Sequence, residues 1–528
     1  MNQYLKRRYS RGGCMFKGNL YPFQQEASDA MVDRGQMLLA LVMGAGKTIT
    51  TLSALETLKD QGELKKALIV VPSSLKYQWE REIKKFTDSH CIVIDGTVSA
   101  RKKQWRASLS ATYVIINSES LKNDLADFEK HTFDAMVVDE ATIIKSAKAR
   151  RSRLIKRIGK RYHYRFALTG QPIENRPEEL FSIMEFVDPK VLGKVDIFDR
   201  TFIVRDRFGK PSRYRNLKQL HDSMEGVMIR KTREDIADQL PQVIQQVIPV
   251  PFDTAGAVVY RKIANDLLQS IQQAISKAGR GFDIWSHYYG SSGNKEAQGD
   301  IMSKLIVLRM FCDNPELVHW SAKMYADTSN DQGSEYANKL VNQGIMPPTS
   351  GTPKLEAVVQ YITDVLEQSP NNKVVLFSFF KENLRLIQKA TKHLTNSVLF
   401  MGGMTMLDRD SSKQQFTQDS NTRLFLSSDA GGYGVDLPIA NYLISYDLPW
   451  SAGKLDQREA RIIRLSSEFP HVNVVSFVMK GSIEERQYEM LQEKRNINKA
   501  FIDGGYDTKG DYKLTLGALS DFIAHSEV

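Results

Sequence analysis

Short, uninterrupted apolar runs recur through the first third of the chain, each closed by a turn residue or an acid. They read MLLALVM, KALIVVP, CIVIDG, TYVIINS, DAMVVDE and RFALTG. Runs that are apolar throughout, rather than alternating, suit strands of a parallel sheet buried on both faces. The segments between them, such as LKYQWEREIKKF, carry apolar residues at helical spacing. The same logic returns after Lys354, with KVVLFSFF, NSVLFMGG, TRLFLSSD, NYLISYD and VNVVSFVM, without repeating the first set in sequence. The pattern predicts an α/β protein of two lobes.

Between the lobes, from Arg176 to about Ser350, the pattern is mostly helical, as in RPEELFSIMEFV, AGAVVYRKIANDLLQSIQQAIS and DIMSKLIVLRMFC. The stretch YYGSSGNKEAQGD reads as a loop. VNQGIMPPTSGTPK, where Pro and Gly cluster, reads as the linker into the second lobe. The tail after Ile502 reads as a loop followed by a strand or short helix. No repeat of solenoid length is evident.

Composition narrows the class. The chain has 528 residues, 42% apolar and 25% charged, too many for one ordinary core and typical of a soluble globular protein. No apolar run approaches the roughly 20 residues that span a bilayer. The start, MNQYLKRRYSRGGC, is basic but lacks the apolar region of a signal peptide, so a cytoplasmic location is expected. Cys14, Cys91 and Cys312 lie far apart and form no C-x-x-C pair, which supports neither a disulfide framework nor a zinc site. The net charge of +10 favours a polyanionic partner. Much of it sits in KSAKARRSRLIKRIGKRYHYR, Lys145 to Arg165, which holds no acid and places Leu154, Ile155 and Ile158 at helical spacing. Two readings stay open for it: a helix with a solvated basic face, or one whose basic side meets phosphates.

The candidate chemistry begins where the first apolar run ends. Met43-Gly44-Ala45-Gly46-Lys47-Thr48 supplies most of a phosphate-binding loop, although Leu41 stands where the usual pattern has its first glycine. Gly44 and Gly46 let backbone N–H groups turn toward an anion. Lys47 would reach the β and γ phosphates, and Thr48 would ligate Mg²⁺. The following TITTLSALETLKD would be a helix whose N-terminus adds a favourable dipole. FDAMVVDEAT is an apolar strand ending in Asp139-Glu140. One carboxylate there can hold the Mg²⁺ shell, and its neighbour can polarise an attacking water.

With these residues in view, the chain resembles the superfamily two helicases and translocases, specifically their Swi/Snf branch, in the manner of annealing-helicase-like and compact bacterial or phage members. DEAT resembles the D-E-x-x box, and LYPFQQEASDAM the glutamine motif. ALIVVPSSLKYQWEREIKKF is similar to the branch's strand-helix signature. FALTGQPIENRPEELFSIMEFVDP resembles its third motif, VMIRKTREDIADQLPQ the segment after the first protrusion, and LRMFCDNPELV its R-x-x-C-x-x-P box. In the second half, KVVLFSFFKENLRLI resembles motif four, and LFLSSDAGGYGVDLPIANYLISYDLPWSAGKLDQREARIIRL resembles motifs five and six. The likeness runs from Leu20 to about Asn498.

The resemblance implies two RecA-like parallel-sheet lobes with helical protrusions between them. It places an ATP-binding lobe at 1–175, a first protrusion and return at 176–250, a second protrusion and linker at 251–350, a helicase lobe at 351–500 and a tail at 501–528. It implies ATP and Mg²⁺ as cofactors. Phe23 and Gln24 would pack on and read adenine. Gln457, Arg461 and Arg464 would reach the ATP site from a motif-six helix, where arginines three apart share a face. An arginine so delivered stabilises the γ-phosphate transition state by about 10³ to 10⁵ in rate. Gly434 and Asp436 would line the cleft. Ser73, Ser74, Asn117 and Ser118 in the first lobe, and Ser378, Phe379 and Gly402 in the second, would face duplex DNA, binding phosphate without reading bases. The implied activity is an ATP-driven motor that translocates on double-stranded DNA and remodels protein–DNA complexes, forks or recombination intermediates, in a bacterial or viral setting. A strand-separating or branch-migrating helicase and a nucleotide-gated DNA clamp are the alternatives. A restriction-type subunit would need a partner's nuclease or methyltransferase. Leu41 and Val42 replace an acidic pair, Thr142 a histidine, and Ser466-Ser467 a Gly-Gln. These departures bear on coupling to DNA rather than on hydrolysis.

Overall fold

Each apolar run of the first third becomes a strand, most of them with their side chains in the core. The computed structural model describes residues 16–173, 177–205, 211–278, 295–327, 332–346, 352–429, 435–502, 520, 521 and 523. The strands are β1 (Gln36–Leu41), β2 (Ala67–Val70), β3 (Cys91–Val93), β4 (Tyr113–Ile116), β5 (Ala135–Val138) and β6 (Tyr164–Leu168). They pair in parallel in the order β3-β4-β2-β5-β6-β1, and β9 (Met228–Lys231) extends the sheet beyond β1. The residues of β2, β4 and β5 are buried throughout, as strands covered on both faces must be. The crossovers are α1 (Pro22–Arg34), which leads into β1, then α2 (Lys47–Asp60), α3 (Lys76–Phe86), α4 (Val98–Ala107), the short α5 (Ser118–Asn123) and α6 (Leu125–Phe128), and α7 (Arg150–Gly159).

The described residues divide into two compact units: the first runs to Gln239 and takes in 497–502, and the second begins at Leu240 and runs to Asn496. The second has its own all-parallel sheet, ordered β10-β15-β14-β11-β13-β12. Its strands are β10 (Gln242–Val250), β11 (Val374–Phe377), β12 (Asn396–Phe400), β13 (Thr422–Ser427), β14 (Tyr442–Ser445) and β15 (His471–Met479). Long helices Thr254–Ala278, Lys295–Asp313 and Pro315–Ala326 precede β11 and share its hydrophobic core. The two α/β lobes expected from the apolar runs are therefore present.

The middle of the chain is less purely helical than its pattern suggests. Ile203–Arg205 (β7) and Pro211–Tyr214 (β8) form an antiparallel hairpin, and β9 and β10 are edge strands. β10 reads QVIQQVIPV and is largely open on its outer side, so it lacks the continuous apolar signature of a central strand. It pairs along its whole length with β15, placing 242–250 in the second sheet rather than with the return to the first lobe. The loop expected at 288–300 ends earlier, because Lys295 already begins the helix to Asp313; the rest of that stretch lies outside the described residues. The expected linker opens inside the helix Glu335–Asn342 and closes on the helix Pro353–Gln368, with 347–351 outside the described residues. Cys91 and Cys312 are buried free thiols, and Cys14 lies outside the described residues. No helix among the described residues is long and apolar enough to cross a membrane.

A buried ionic cluster ties the helical segment to the second sheet. Lys354 Nζ lies 3.0 Å from Asp313 Oδ1, and 2.6 and 2.8 Å from the two Glu484 oxygens, with both pairs almost wholly out of solvent. Glu484 also accepts the Met479 N–H at the end of β15. Burial opposes the charge on Lys354, but Glu484 and Asp313 outweigh it and raise the ammonium's pKa. Burial pushes the Asp313 carboxyl well above the usual carboxylate range. Removing one partner strands the others as uncompensated buried charge, at a cost of about 3–5 kcal/mol. Lys354→Met should lower the unfolding free energy of this unit by that amount in urea titrations. The loss should grow from pH 5 to pH 8. Asp313 already titrates above its unfolded value and loses the opposing Lys354 charge in the variant, and a group with a raised folded pKa loses its stabilising effect as pH rises.

Candidate nucleotide site

In a parallel sheet buried on both faces, polar chemistry collects at the carboxyl ends of the strands. β5, β6 and β1 are neighbours, so the three segments that leave them meet at one edge: Asp139–Glu140, Thr169–Gln171 and the loop Val42–Gly46. Leu41 is the last residue of β1 and fully buried, and its carbonyl accepts from Lys47 Nζ at 3.3 Å. The position without glycine is thus a core strand residue. The chain turns after it, with Ala45 N–H donating to Val42 O at 3.1 Å.

Gly44 and Gly46 have φ of +84° and +79°, the left-handed region that favours glycine. Gly46 is constrained twice, since a Cβ there would lie 2.4 Å from Gln24 Nε2. α2 starts directly at Lys47, and its first N–H groups open toward the loop. Gly170 is a close-approach position: a Cβ would come within 2.6 Å of Met43 Cγ, so the loop after β6 seats the start of the phosphate loop. Thr169 Oγ1 holds that loop, accepting from Gln171 N at 3.0 Å and donating to Gln171 O at 2.9 Å.

Phe23 and Gln24 lie buried in the first turn of α1. Both ends of the Gln24 amide are bonded to backbone. Its Oε1 accepts from Tyr21 N–H at 3.0 Å, and its Nε2 donates to Ala45 O at 2.9 Å. Gln24 therefore clamps α1 to the phosphate loop, with its amide directed at main chain.

Asp139 is 6% exposed and takes the Trp79 indole N–H on Oδ2 and the Glu140 N–H on Oδ1, each at 2.8 Å. Burial pushes its carboxyl pKa up, opposed by the indole bond, the nearby Lys47 charge and the Glu140 N–H. Glu140 has φ +49° and ψ +62°, left-handed backbone on a non-glycine residue, a conformation that costs on the order of 1–3 kcal/mol. That turn brings the Glu140 N–H back onto Asp139 and sends the chain into the short helix Ala141–Ile144. Each Asp139 oxygen keeps lone-pair capacity. Among the described residues no group of three or more His, Cys, Asp or Glu could hold a metal alone. The donor set fits Mg²⁺, which takes one or two protein oxygens and completes its shell from phosphate and water.

The candidate DNA residues of the first unit cluster at the ends of β2 and β4, which are paired neighbours. Ser73 and Ser74 are exposed, Asn117 and Ser118 mostly buried. Asn117 Nδ2 donates to Ser73 Oγ at 2.7 Å, and Ser118 Oγ to Glu119 Oε2 at 2.9 Å. Glu119 in turn takes Arg151 at 3.0 Å. In the second unit Phe379 is exposed, and its N–H is taken by Asp447 Oδ2 at 2.7 Å. Ser378 is fully buried and donates to the same oxygen at 2.6 Å, which leaves it no surface for a phosphate. Gly402 N–H donates to Ser428 Oγ at 3.1 Å.

The helix expected to carry all of motif six stops short. It spans Ala452–Glu459, so Gln457 lies on it while Arg461 and Arg464 follow in a turn. Arg461 Nη1 donates to Val435 O at 3.3 Å, and Arg464 pairs with Asp436, so this turn packs on the Val435–Leu437 segment. Gly434 lies outside the described residues. The arginine buried in the helix is Arg458. It binds Asp429 through Nε at 2.6 Å and Nη2 at 3.0 Å, and donates from Nη1 to Asp447 O at 2.5 Å. No motif in the sequence marks Arg458, Asp447 or Trp79. The signal that points to Asp447 is its place just after an apolar strand, as for Asp139.

Residues 23–317 match the model of the SNF2-related domain, and 353–466 that of the helicase conserved C-terminal domain. The DNA repair and recombination protein RAD54B of Homo sapiens is 26% identical over 92% of this chain and 54% of its own length. ZRANB3 of Homo sapiens, a DNA annealing helicase and endonuclease, is 25% identical over 92% of this chain and 41% of its own. The chain thus spans about half the length of such curated relatives. In fold, the Hef helicase domain of Pyrococcus furiosus superposes with a TM-score of 0.54 at 13% identity, over 88% of this chain and 97% of that one. With a family model covering more than half of its residues, the chain belongs to the SNF2-related family of helicase-type proteins.

Proposed function

We propose that the protein is a DNA-dependent ATPase that translocates on double-stranded DNA. The observation that carries this reading is the meeting of a phosphate loop, a buried Asp139 and a strained Glu140 at adjacent strand ends. That constellation supports phosphoryl transfer to water. The family membership and the DNA-directed names of RAD54B and ZRANB3 support DNA as the partner.

Gly44 to Lys47 would hold the β and γ phosphates, and Thr48 with Asp139 would hold Mg²⁺. Bound there, Mg²⁺ would neutralise charge on the β and γ oxygens. Burial raises the Asp139 carboxyl pKa, and the Trp79 indole and Lys47 oppose that rise by favouring the charged form that would bind Mg²⁺. Glu140 orients the attacking water and accepts its proton. Exposed strand-end hydroxyls grip phosphates without reading bases, so binding is sequence-independent and salt-sensitive. Remodelling of protein–DNA complexes, forks or recombination intermediates is the work such a motor would do.

ATP turnover should rise strongly with duplex DNA and less with single strands. The protein should displace the third strand of a triplex without unwinding a fork. Equal turnover with and without DNA would sink the motor reading, and fork unwinding would favour a strand-separating helicase. Glu140→Gln should bind ATP in a nucleotide-fluorescence assay yet hydrolyse it at least about 10²-fold more slowly, the usual contribution of a positioned base. Trp79→Phe removes a hydrogen bond to the charged form of Asp139, so that pKa should rise further. The acid limb of the ATPase pH profile should then move to higher pH; an unmoved limb would show that the indole does not tune Asp139.

A further inference from the structure

Helix α7 carries a row of cations that the nucleotide site does not use. Its inner face is buried through Ser152, Ile155, Ile158 and Gly159, and its one inward lysine, Lys156, is neutralised by Glu185 at 2.7 Å. Its outer face is exposed and basic, and Lys145 to Arg165 contains no acid. Two of these cations have acidic partners elsewhere: Arg151 pairs with Glu119 at 3.0 Å and Arg161 with Glu129 at 3.3 Å. Arg150, Arg153, Arg157 and Lys160 have none among the described residues. Their spacing of three, four and three residues sets them in one row down the helix, roughly 15 Å long at about 1.5 Å per residue.

Like charges three and four apart repel, and a face that served only solubility would intersperse acids. This row is what a linear polyanion would relieve. Duplex DNA carries a charge about every 1.7 Å of its axis, so several phosphates fall within the length of the row. The row also starts in the right place. Arg151, beside its head, holds Glu119, which is bonded to Ser118 next to Asn117, itself bonded to Ser73. The basic row therefore begins beside the strand-end donors of the same unit, with Glu119 between them.

We propose that α7 is a second phosphate-binding face, which grips the backbone of the same duplex beyond the stretch held by Ser73, Asn117 and Ser118. This rests on the reading that the chain acts on duplex DNA. The test is a salt titration of labelled-duplex binding by the full chain and by its Arg150→Gln/Arg153→Gln/Arg157→Gln variant, with thermal melting as the fold control. The slope of log K against log salt should become shallower by about 2 to 3, since each lost phosphate contact removes about 0.9. If the triple variant melts early, the exposed Arg153→Glu alone should flatten the slope by about 1. An unchanged slope in a folded variant overturns the proposal. So does an unchanged slope accompanied by lost binding of polyglutamate, which would identify an acidic protein as the partner. Failure of the unaltered chain to bind duplex at all would overturn the motor reading, and this face with it.

Discussion

Burial of both sheets on both faces is the constraint from which the rest follows. A strand covered on each side must be apolar along its length, which leaves its carboxyl end as the place where polar groups can meet solvent or ligand. In the first unit, strands β5, β6 and β1 bring an acid pair, a threonine-held loop and a glycine loop to one edge. None of these segments needs a long excursion, because the sheet order makes them neighbours. The site owes its geometry to strand register more than to any single contact.

The second unit solves the same problem with charge. Asp429 and Asp447 follow β13 and β14, and Arg458 reaches both from the helix beside them. Asp447 also holds the Ser378 hydroxyl and the Phe379 N–H after β11. One buried guanidinium thus organises the ends of three strands. Burial disfavours its charge, but the two aspartates outweigh burial and raise its pKa above the ordinary arginine value. A buried cation so thoroughly paired contributes chiefly to positioning, since its desolvation offsets much of the ionic attraction.

Central strands were legible in the sequence because burial on both faces writes itself as an unbroken apolar run. Edge strands divide: β3 and β12 keep enough apolar residues to read as strands, whereas β9 and β10 mix polar and apolar residues within a stretch that reads as helical. Local chemistry followed the same divide. Gly44, Gly46 and Lys47 announce themselves by spacing within one turn. The partner of Asp139, Trp79, lies sixty residues earlier in the chain and on another crossover, so nothing local points to it. Arg458 stands among three arginines in DQREARIIR, and which of them is buried depends on where the helix stops.

The bond from Lys47 to the Leu41 carbonyl bears on selectivity. At rest the lysine is already positioned over its loop, with part of its side-chain freedom removed before any ligand arrives. Binding then exchanges a neutral acceptor for a charged one. An anion gains from that exchange, while a neutral nucleoside would have to displace the carbonyl and give little in return. The main-chain carbonyl at the end of β1 would thus help set a threshold of ligand charge.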